Sequence, residues 1–206
     1  MTAAGDDADR VGHALTVAGV SGVNDFGHFV NSSTHFRASE FDEKAAMPTL
    51  LAVLPSLTDL RVVTAVAGHL RRAWARPSAF PLLRDAFVRW AEVDDAAGWA
   101  LGDALGTAAD KSRVGELIEL AADGGYGMSR QTVVHSLRRF KNDQRVSPVL
   151  TKLLTDPSVA LNAAGALRQV PGKDAAFPLL RAARDQTTDP TVAAGLVRNI
   201  KKAQKS

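Results

Sequence analysis

A few residues of this 206-residue chain carry side chains that could bind a metal or take part in catalysis. His28 and His35 lie near Asp25, and imidazole and carboxylate groups are common ligands of zinc in proteins. Their spacing follows no metal-binding motif, so we interpret both histidines as ordinary surface or core residues. The chain has no cysteine, which excludes a thiolate nucleophile, a disulfide and a zinc-thiolate site.

Three glycines form a pattern that could be mistaken for a phosphate-binding loop. Gly98, Gly102 and Gly106 recur every four residues. The stretch lacks the lysine and serine of a P-loop, and it falls inside a segment with helical periodicity. We therefore predict that these glycines allow close packing of one helix against another.

One stretch interleaves basic residues with an aromatic residue: Arg71, Arg72, Trp74 and Arg76. Such a set could bind phosphates and stack on a base. Cations at the end of a helix also complement the helix dipole, and a tryptophan commonly anchors a loop on the core. We favour the structural interpretation of this stretch.

An internal repeat predicts the secondary structure that must position these residues. The octapeptide AFPLLRDA at residues 79–86 returns as AFPLLRAA at residues 176–183, which corresponds to about three units of a period in the low thirties. Two series of apolar residues keep that period. The first series is Leu50, Leu83, Leu117, Leu150 and Leu180, and the second is Leu70, Leu105, Leu137, Leu167 and Ile200. Two series per period predict two helices, A and B, in each repeat.

Prolines and small residues distinguish the two predicted helices. Pro48, Pro81, Pro148 and Pro178 each stand two residues before a leucine of the first series, and proline is tolerated at the first position of a helix. We therefore predict that each proline begins a helix B. The preceding helix A is rich in small residues, as in residues 163–166, which allow neighbouring repeats to approach closely. No segment alternates with period two for long enough to form a strand.

The later repeats carry a recognisable pattern: Asp156-Pro157-Ser158-Val159, Ala163, Ala166-Leu167 and Phe177-Pro178-Leu179-Leu180. This pattern resembles the HEAT repeats of bacterial proteins, and residues 126–131 resemble an uncharacterised subgroup of them. The resemblance covers roughly residues 45–203 and implies an all-α fold, a right-handed α-α superhelix of about five two-helix repeats with terminal caps. Ala160 and Gly98 depart from it, because they stand where the family often has an arginine. A scaffold family assigns no catalytic residue.

Arg130 does occupy the arginine position of that pattern, seven residues before Leu137. The glycines of residues 123–127, just upstream, permit a positive φ. We predict a structural turn that presents Arg130 to an aspartate of a neighbouring repeat, and a binding loop is the alternative.

The expected domain organisation is a single domain with a cap. Residues 1–44 are predicted to form an N-terminal cap or degenerate first repeat, with helices at 9–20 and 23–30, and residues 45–206 form the solenoid. The opening decapeptide is acidic, unlike a secretory signal, and no apolar run reaches the ~18 residues of a membrane span. We expect a cytoplasmic protein that contacts no membrane.

Charge is distributed unevenly along the chain. Residues 1–60 carry a formal charge of −5 and residues 61–206 one of +8. Loops from helix A to helix B carry a basic edge: Arg71, Arg72, Arg76, Lys111, Arg113, Arg138, Arg139, Lys141, Arg145, Arg168 and Lys173. Loops from B to A carry an acidic edge: Asp59, Glu92, Asp94, Asp95, Asp123, Asp156, Asp185 and Asp189. We interpret the closing Lys201, Lys202 and Lys205 as a solvated end.

The exposed face of the B helices is predicted to be the binding surface. Its charged residues are of mixed sign and include no aromatic residue: Asp85, Arg89, Glu116, Glu119 and Lys152. A nucleic-acid groove is instead lined with lysine and arginine. We therefore expect a non-catalytic scaffold whose partner is another protein, with no cofactor.

Two alternatives remain open. The first is a nucleic-acid-binding module that uses the basic edge. The second is an enzyme, since some DNA alkylpurine glycosylases look like HEAT-type solenoids with an acidic residue and aromatics in a basic concavity. Trp74, Trp90, Trp99 and Asp103 offer those residue types, but no motif transfers a catalytic role to them. HEAT-type lyases of bilin chromophores are a further relative without a local motif here.

Overall fold

A computed structural model describes residues 3–23, 41–72 and 78–204, and every regular element in these ranges is helical. The predicted all-α class is confirmed. The predicted helix at 23–30 lies outside the described residues. The chain divides into two compact units, residues 1–108 and 109–206, which are described in turn.

The first unit contains five described α-helices: α1 (Ala3–Val17), α2 (Glu43–Val53), α3 (Leu60–Leu70), α4 (Ala79–Trp90) and α5 (Asp95–Ala108). A 3-10 turn, Leu54–Ser56, continues α2. Helix α3 packs against α5, while α4 packs against α5 and against the turn that follows α2. Helices α3 and α5 are therefore the predicted A helices of this unit, and α2 and α4 are its B helices.

The second unit contains six described α-helices: α6 (Val114–Ala122), α7 (Gln131–Ser136), α8 (Val146–Lys152), α9 (Ala160–Leu167), α10 (Lys173–Gln186) and α11 (Pro190–Gln204). Turns of 3-10 helix are Lys111–Arg113, Gly124–Arg130, Leu137–Phe140 and Leu153–Thr155. Among the A helices, α7 packs against α9 and α9 against α11, and among the B helices α6 contacts α8.

Both apolar series form the cores of the two units. Each of their ten side chains exposes at most 9% of its surface. A fully buried leucine contributes about 1.5–3 kcal/mol relative to an exposed one, so the repeated leucines account for much of the driving force. The period read from the sequence is thus the period of the buried positions.

The prolines do not all begin a helix, and that prediction is wrong for two of them. Pro81 and Pro148 are the third residues of α4 and α8, but Pro48 and Pro178 are the sixth residues of α2 and α10. Helix α2 begins earlier because the Asp42 carboxylate accepts a first-turn backbone N–H at 2.9 Å. All four prolines are exposed, which leaves the carbonyls that lose a donor close to water.

The acidic loops have a structural cause. Five of their aspartates cap the start of a helix or turn: Asp59, Asp94, Asp123, Asp156 and Asp189. In each case a side-chain oxygen accepts a backbone N–H two or three residues further on, at 2.7–3.0 Å. Such caps satisfy N–H groups that the helix itself leaves unpaired.

A buried carboxylate attaches the N-terminal helix to the first unit. Asp7, which is 4% exposed, accepts the backbone N–H groups of Thr58 at 2.6 Å and Asp59 at 2.7 Å, and Arg10 donates to it at 2.8 Å. Burial raises the pKa of Asp7, but these hydrogen bonds outweigh burial and hold it below its ordinary value. The predicted helix at 9–20 is present as α1, shifted to begin at Ala3.

Small residues do allow close approach between A helices in the second unit. A Cβ atom placed on Gly165 of α9 would lie 3.8 Å from Nδ1 of His135 in α7. One placed on Gly195 of α11 would lie 2.7 Å from Cδ1 of Leu161 in α9, which is closer than van der Waals contact. In the first unit Gly98, Gly102 and Gly106 are all buried within α5, as expected for packing glycines.

Candidate interaction surfaces

Residues 123–130 form a structural turn around Arg130. The Arg130 side chain is 1% exposed and donates to the carbonyl oxygens of Ala121 at 2.7 Å and Gly127 at 3.2 Å. It also donates to Ser158 Oγ at 3.2 Å and forms an ion pair with Asp156. Asp156 belongs to the next repeat, so the predicted pairing is confirmed. Gly127 has φ +48°, a conformation that glycine adopts without strain.

The B helices of the first unit expose two of the predicted binding residues. Asp85 on α4 has a side chain that is 71% exposed, with Arg84 donating to it at 3.3 Å. Arg89, one turn further, donates to the Pro55 carbonyl at 2.8 Å and stacks 4.6 Å from the centroid of the Trp90 ring. Asp85 therefore projects into solvent, whereas Arg89 is held against the helix surface.

The other three predicted binding residues lie on the B helices of the second unit. Glu119 on α6 and Lys152 at the end of α8 are exposed. Glu116 is half-buried and accepts a hydrogen bond from Arg113 at 2.7 Å. As predicted from the period, Glu119 and Lys152 occupy the register that Asp85 occupies in the first unit. Charges of both signs are thus exposed at equivalent positions of successive B helices.

In the first unit, the described arginines of the predicted basic edge are neutralised by carboxylates. Arg71 donates to Asp103 Oδ2 at 2.7 Å, and Arg72 donates through Nε and a terminal nitrogen to Glu43, both at 2.6 Å. Arg76 lies outside the described residues. A phosphate would have to displace these carboxylates, so the charge that the sequence suggests here is not available to it.

In the second unit the basic edge is only partly neutralised. Arg145 donates to both carboxylate oxygens of Asp143, at 3.0 and 2.8 Å. These hydrogen bonds lower the pKa of Asp143 to about 2 and raise that of Arg145. Arg138 is half-buried, Arg139 is exposed with its guanidinium 5.6 Å from the next residue's ring, and Lys141 is exposed.

The structure brings together a histidine and a carboxylate that sequence analysis missed. His69 in α3 is 7% exposed, its Nδ1 lies 3.4 Å from Glu43 Oε1, and its ring packs 4.9 Å from that of Phe41. Burial lowers the pKa of His69, and the neighbouring Glu43 opposes that shift. A histidine–carboxylate pair can serve as a general base, but this carboxylate is also bound by Arg72 and the ring is buried. No spacing signal links the pair, because the residues belong to different helices.

The described residues of the enzyme alternative lie on α4 and α5. Asp103 is ion-paired with Arg71, Trp90 lies under Arg89, and Trp99 of α5 is 48% exposed. Trp74 lies outside the described ranges.

The described part of the chain contains no cluster of side chains that could hold a metal ion. No three histidine or acidic side chains there are close enough to hold an ion. His28, His35 and Asp25 fall outside it. A hollow of about 140 Å³ in the second unit is lined mainly by polar residues of two B-to-A loops, among them Thr155, Thr187 and Asp189.

No helix in the described ranges is long and apolar enough to cross a membrane. No protein-family model, curated protein or solved structure matches the chain.

Proposed function

We propose that this protein is a HEAT-type α-solenoid, a right-handed superhelix of about five helix pairs, and that it acts as a non-catalytic scaffold for another protein. The two buried apolar series, the packing of A helices on A helices within each unit and the aspartate caps support the architecture. The lack of cysteine fits the reducing cytoplasm, where we place it.

The observation that carries the functional proposal is the recurrence of exposed charges of both signs on the B helices. Asp85, Glu119 and Lys152 hold equivalent positions, and each side chain is directed away from the apolar series of its helix. Arranged charges of both signs select a partner of complementary pattern, as protein–protein interfaces do. A phosphate backbone would be repelled by two of the three residues.

Affinity capture with charge-reversed variants tests this proposal. The tagged full chain captures proteins from lysate of cells that express it naturally, with and without nuclease treatment, and mass spectrometry identifies them. One protein should be retained by the wild type and lost with Asp85→Arg, Glu119→Arg and Lys152→Glu. Lys201→Glu, an exposed charge on an A helix, is the matched control and should retain the protein.

Two outcomes would overturn the proposal. One is that the three B-helix variants capture the same protein as well as the wild type does. The other is that every captured protein disappears after nuclease treatment, since a nucleic acid would then bridge them.

A further inference from the structure

The net charge is divided between the two units. Residues 109–206 contain sixteen lysines or arginines and nine acidic residues, a formal charge of +7, whereas residues 1–108 contain nine and thirteen, a charge of −4. The excess positive charge is therefore a property of the second unit alone.

The two units also differ in how their cations are paired. In the first unit, the described cations form ion pairs except Lys44 and Arg89, which donates to a carbonyl: Arg10, Arg61, Arg71, Arg72 and Arg84. In the second unit, five cations at or just after the ends of A helices have no carboxylate partner among the described residues. We call them the cation ladder: Arg138, Lys141, Arg168, Lys201 and Lys202.

Helix packing sets the register of the ladder. The close approach of His135 to Gly165 joins α7 to α9 at an offset of 30 residues, and that of Leu161 to Gly195 joins α9 to α11 at an offset of 34. The same offsets relate Arg138 to Arg168 and Arg168 to Lys202. Packed helices lie about 8–10 Å apart, so cations recur at that spacing on three successive helices.

Complementing the helix dipoles does not account for all of this charge. Each helix C-terminus carries about half a negative charge, so three of them offset only about 1.5 of the five ladder charges. Most of the positive charge of the ladder is therefore not offset by the helix termini.

We propose that the cation ladder binds the phosphate backbone of double-stranded nucleic acid without reading its sequence. Lysine and arginine supply such contacts by releasing the counterions of the phosphates. Single strands are usually held by stacking on exposed aromatic side chains. The aromatic nearest in sequence to the ladder, Phe140, is only 8% exposed, so the ladder favours a duplex. This activity uses different residues from the protein-binding face of the B helices.

Fluorescence anisotropy of a labelled DNA duplex of about 20 base pairs, titrated with the full chain at several salt concentrations, tests the ladder. Four or five phosphate contacts predict that log K falls against log salt with a slope of about −3.6 to −4.5. Arg138→Gln and Lys202→Gln should each weaken binding at low salt and reduce the slope by about one.

Arg145→Gln is the matched control. Arg145 precedes α8 on the same predicted basic edge, but its guanidinium is held by Asp143, so its loss should leave the affinity and the slope unchanged. Circular dichroism checks the fold of each variant, and Lys202→Gln, in the exposed last turn of α11, decides the outcome if Arg138→Gln is unstable.

Several results would overturn the proposal. These are a slope near zero, an equal effect of Arg145→Gln and Lys202→Gln, or tighter binding to a single strand than to the duplex. Binding to polyglutamate without binding to DNA would assign the ladder to an acidic protein segment instead.

Discussion

Replacing Arg130 tests whether the buried arginine fixes the connection between two repeats of the second unit. Arg130→Met keeps an unbranched side chain but removes every donor. The carbonyl oxygens of Ala121 and Gly127 then lose a hydrogen bond, at about 1–3 kcal/mol for each group that stays buried. Asp156 is 33% exposed, so water can solvate it once Arg130 is gone, and its lost partner adds less to the cost than the two carbonyl oxygens do. We expect a loss of about 3–5 kcal/mol in the free energy of unfolding, the range for a broken buried ion pair.

The pH dependence of stability gives this prediction a second readout. Burial raises the pKa of Asp156, but hydrogen bonds from Ser158 and Arg130 lower it by more, so it lies below its ordinary value. A carboxyl with a depressed folded-state pKa stabilises the protein above its unfolded pKa of about 3.9, and that contribution is lost as the pH falls through the folded value. Arg130→Met should reduce this acid-dependent loss.

Urea denaturation followed by circular dichroism measures both effects. Arg184→Met is the matched control, because Arg184 also pairs with an aspartate of the second unit, Asp185, but at the surface. Exposed pairs contribute about 0–1 kcal/mol, so the control should lose no more than that. Equal losses for Arg130→Met and Arg184→Met would refute the idea that Arg130 is the centre of a buried network.

Two further stability predictions follow from the packing. In the same urea denaturation assay, Gly195→Ala should destabilise the protein by up to about 2 kcal/mol, because overpacking against Leu161 exceeds the gain in helix propensity. Gly12→Ala, with no atom within 4 Å of the new Cβ, should stabilise it by about 0.5–1 kcal/mol. A stable Gly195→Ala protein would contradict the close approach of α9 and α11. Asp7→Asn should cost about 1.5–3 kcal/mol at neutral pH and less in acid. The depressed pKa of Asp7 makes its charge stabilising above the unfolded value of about 3.9, and that contribution is lost as the pH falls through the folded value. An equal cost at both pH values would show that the charge of Asp7 has no part in attaching α1.

The periodic features of the fold were predictable from sequence. Buried positions of stacked helices must repeat with the repeat length, so the spacing of Leu83, Leu117 and Leu150 was enough to place them in the core. The pairing of Arg130 with an aspartate of the next repeat was expected from the resemblance to HEAT repeats, in which Arg130 occupies a place that often holds an arginine.

Features that depend on individual contacts were not predictable. The start of α2 depends on the Asp42 cap, which overrides the preference of Pro48 for a first position. The pairing of Arg72 with Glu43 and of Arg71 with Asp103 joins different helices, and no sequence spacing encodes it. The predicted basic edge therefore overestimated the unpaired charge of the first unit.

Cross-linking of the captured complex tests the proposed scaffold function most directly. A carbodiimide joins carboxylates to amines in contact, so it can link Asp85 or Glu119 to lysines of the partner and Lys152 to its acidic residues. We predict that mass spectrometry finds intermolecular cross-links at these three exposed positions of the B helices. Cross-links confined to Lys141, Lys201 and Lys202 would contradict a B-helix interface and place the partner on the cation ladder.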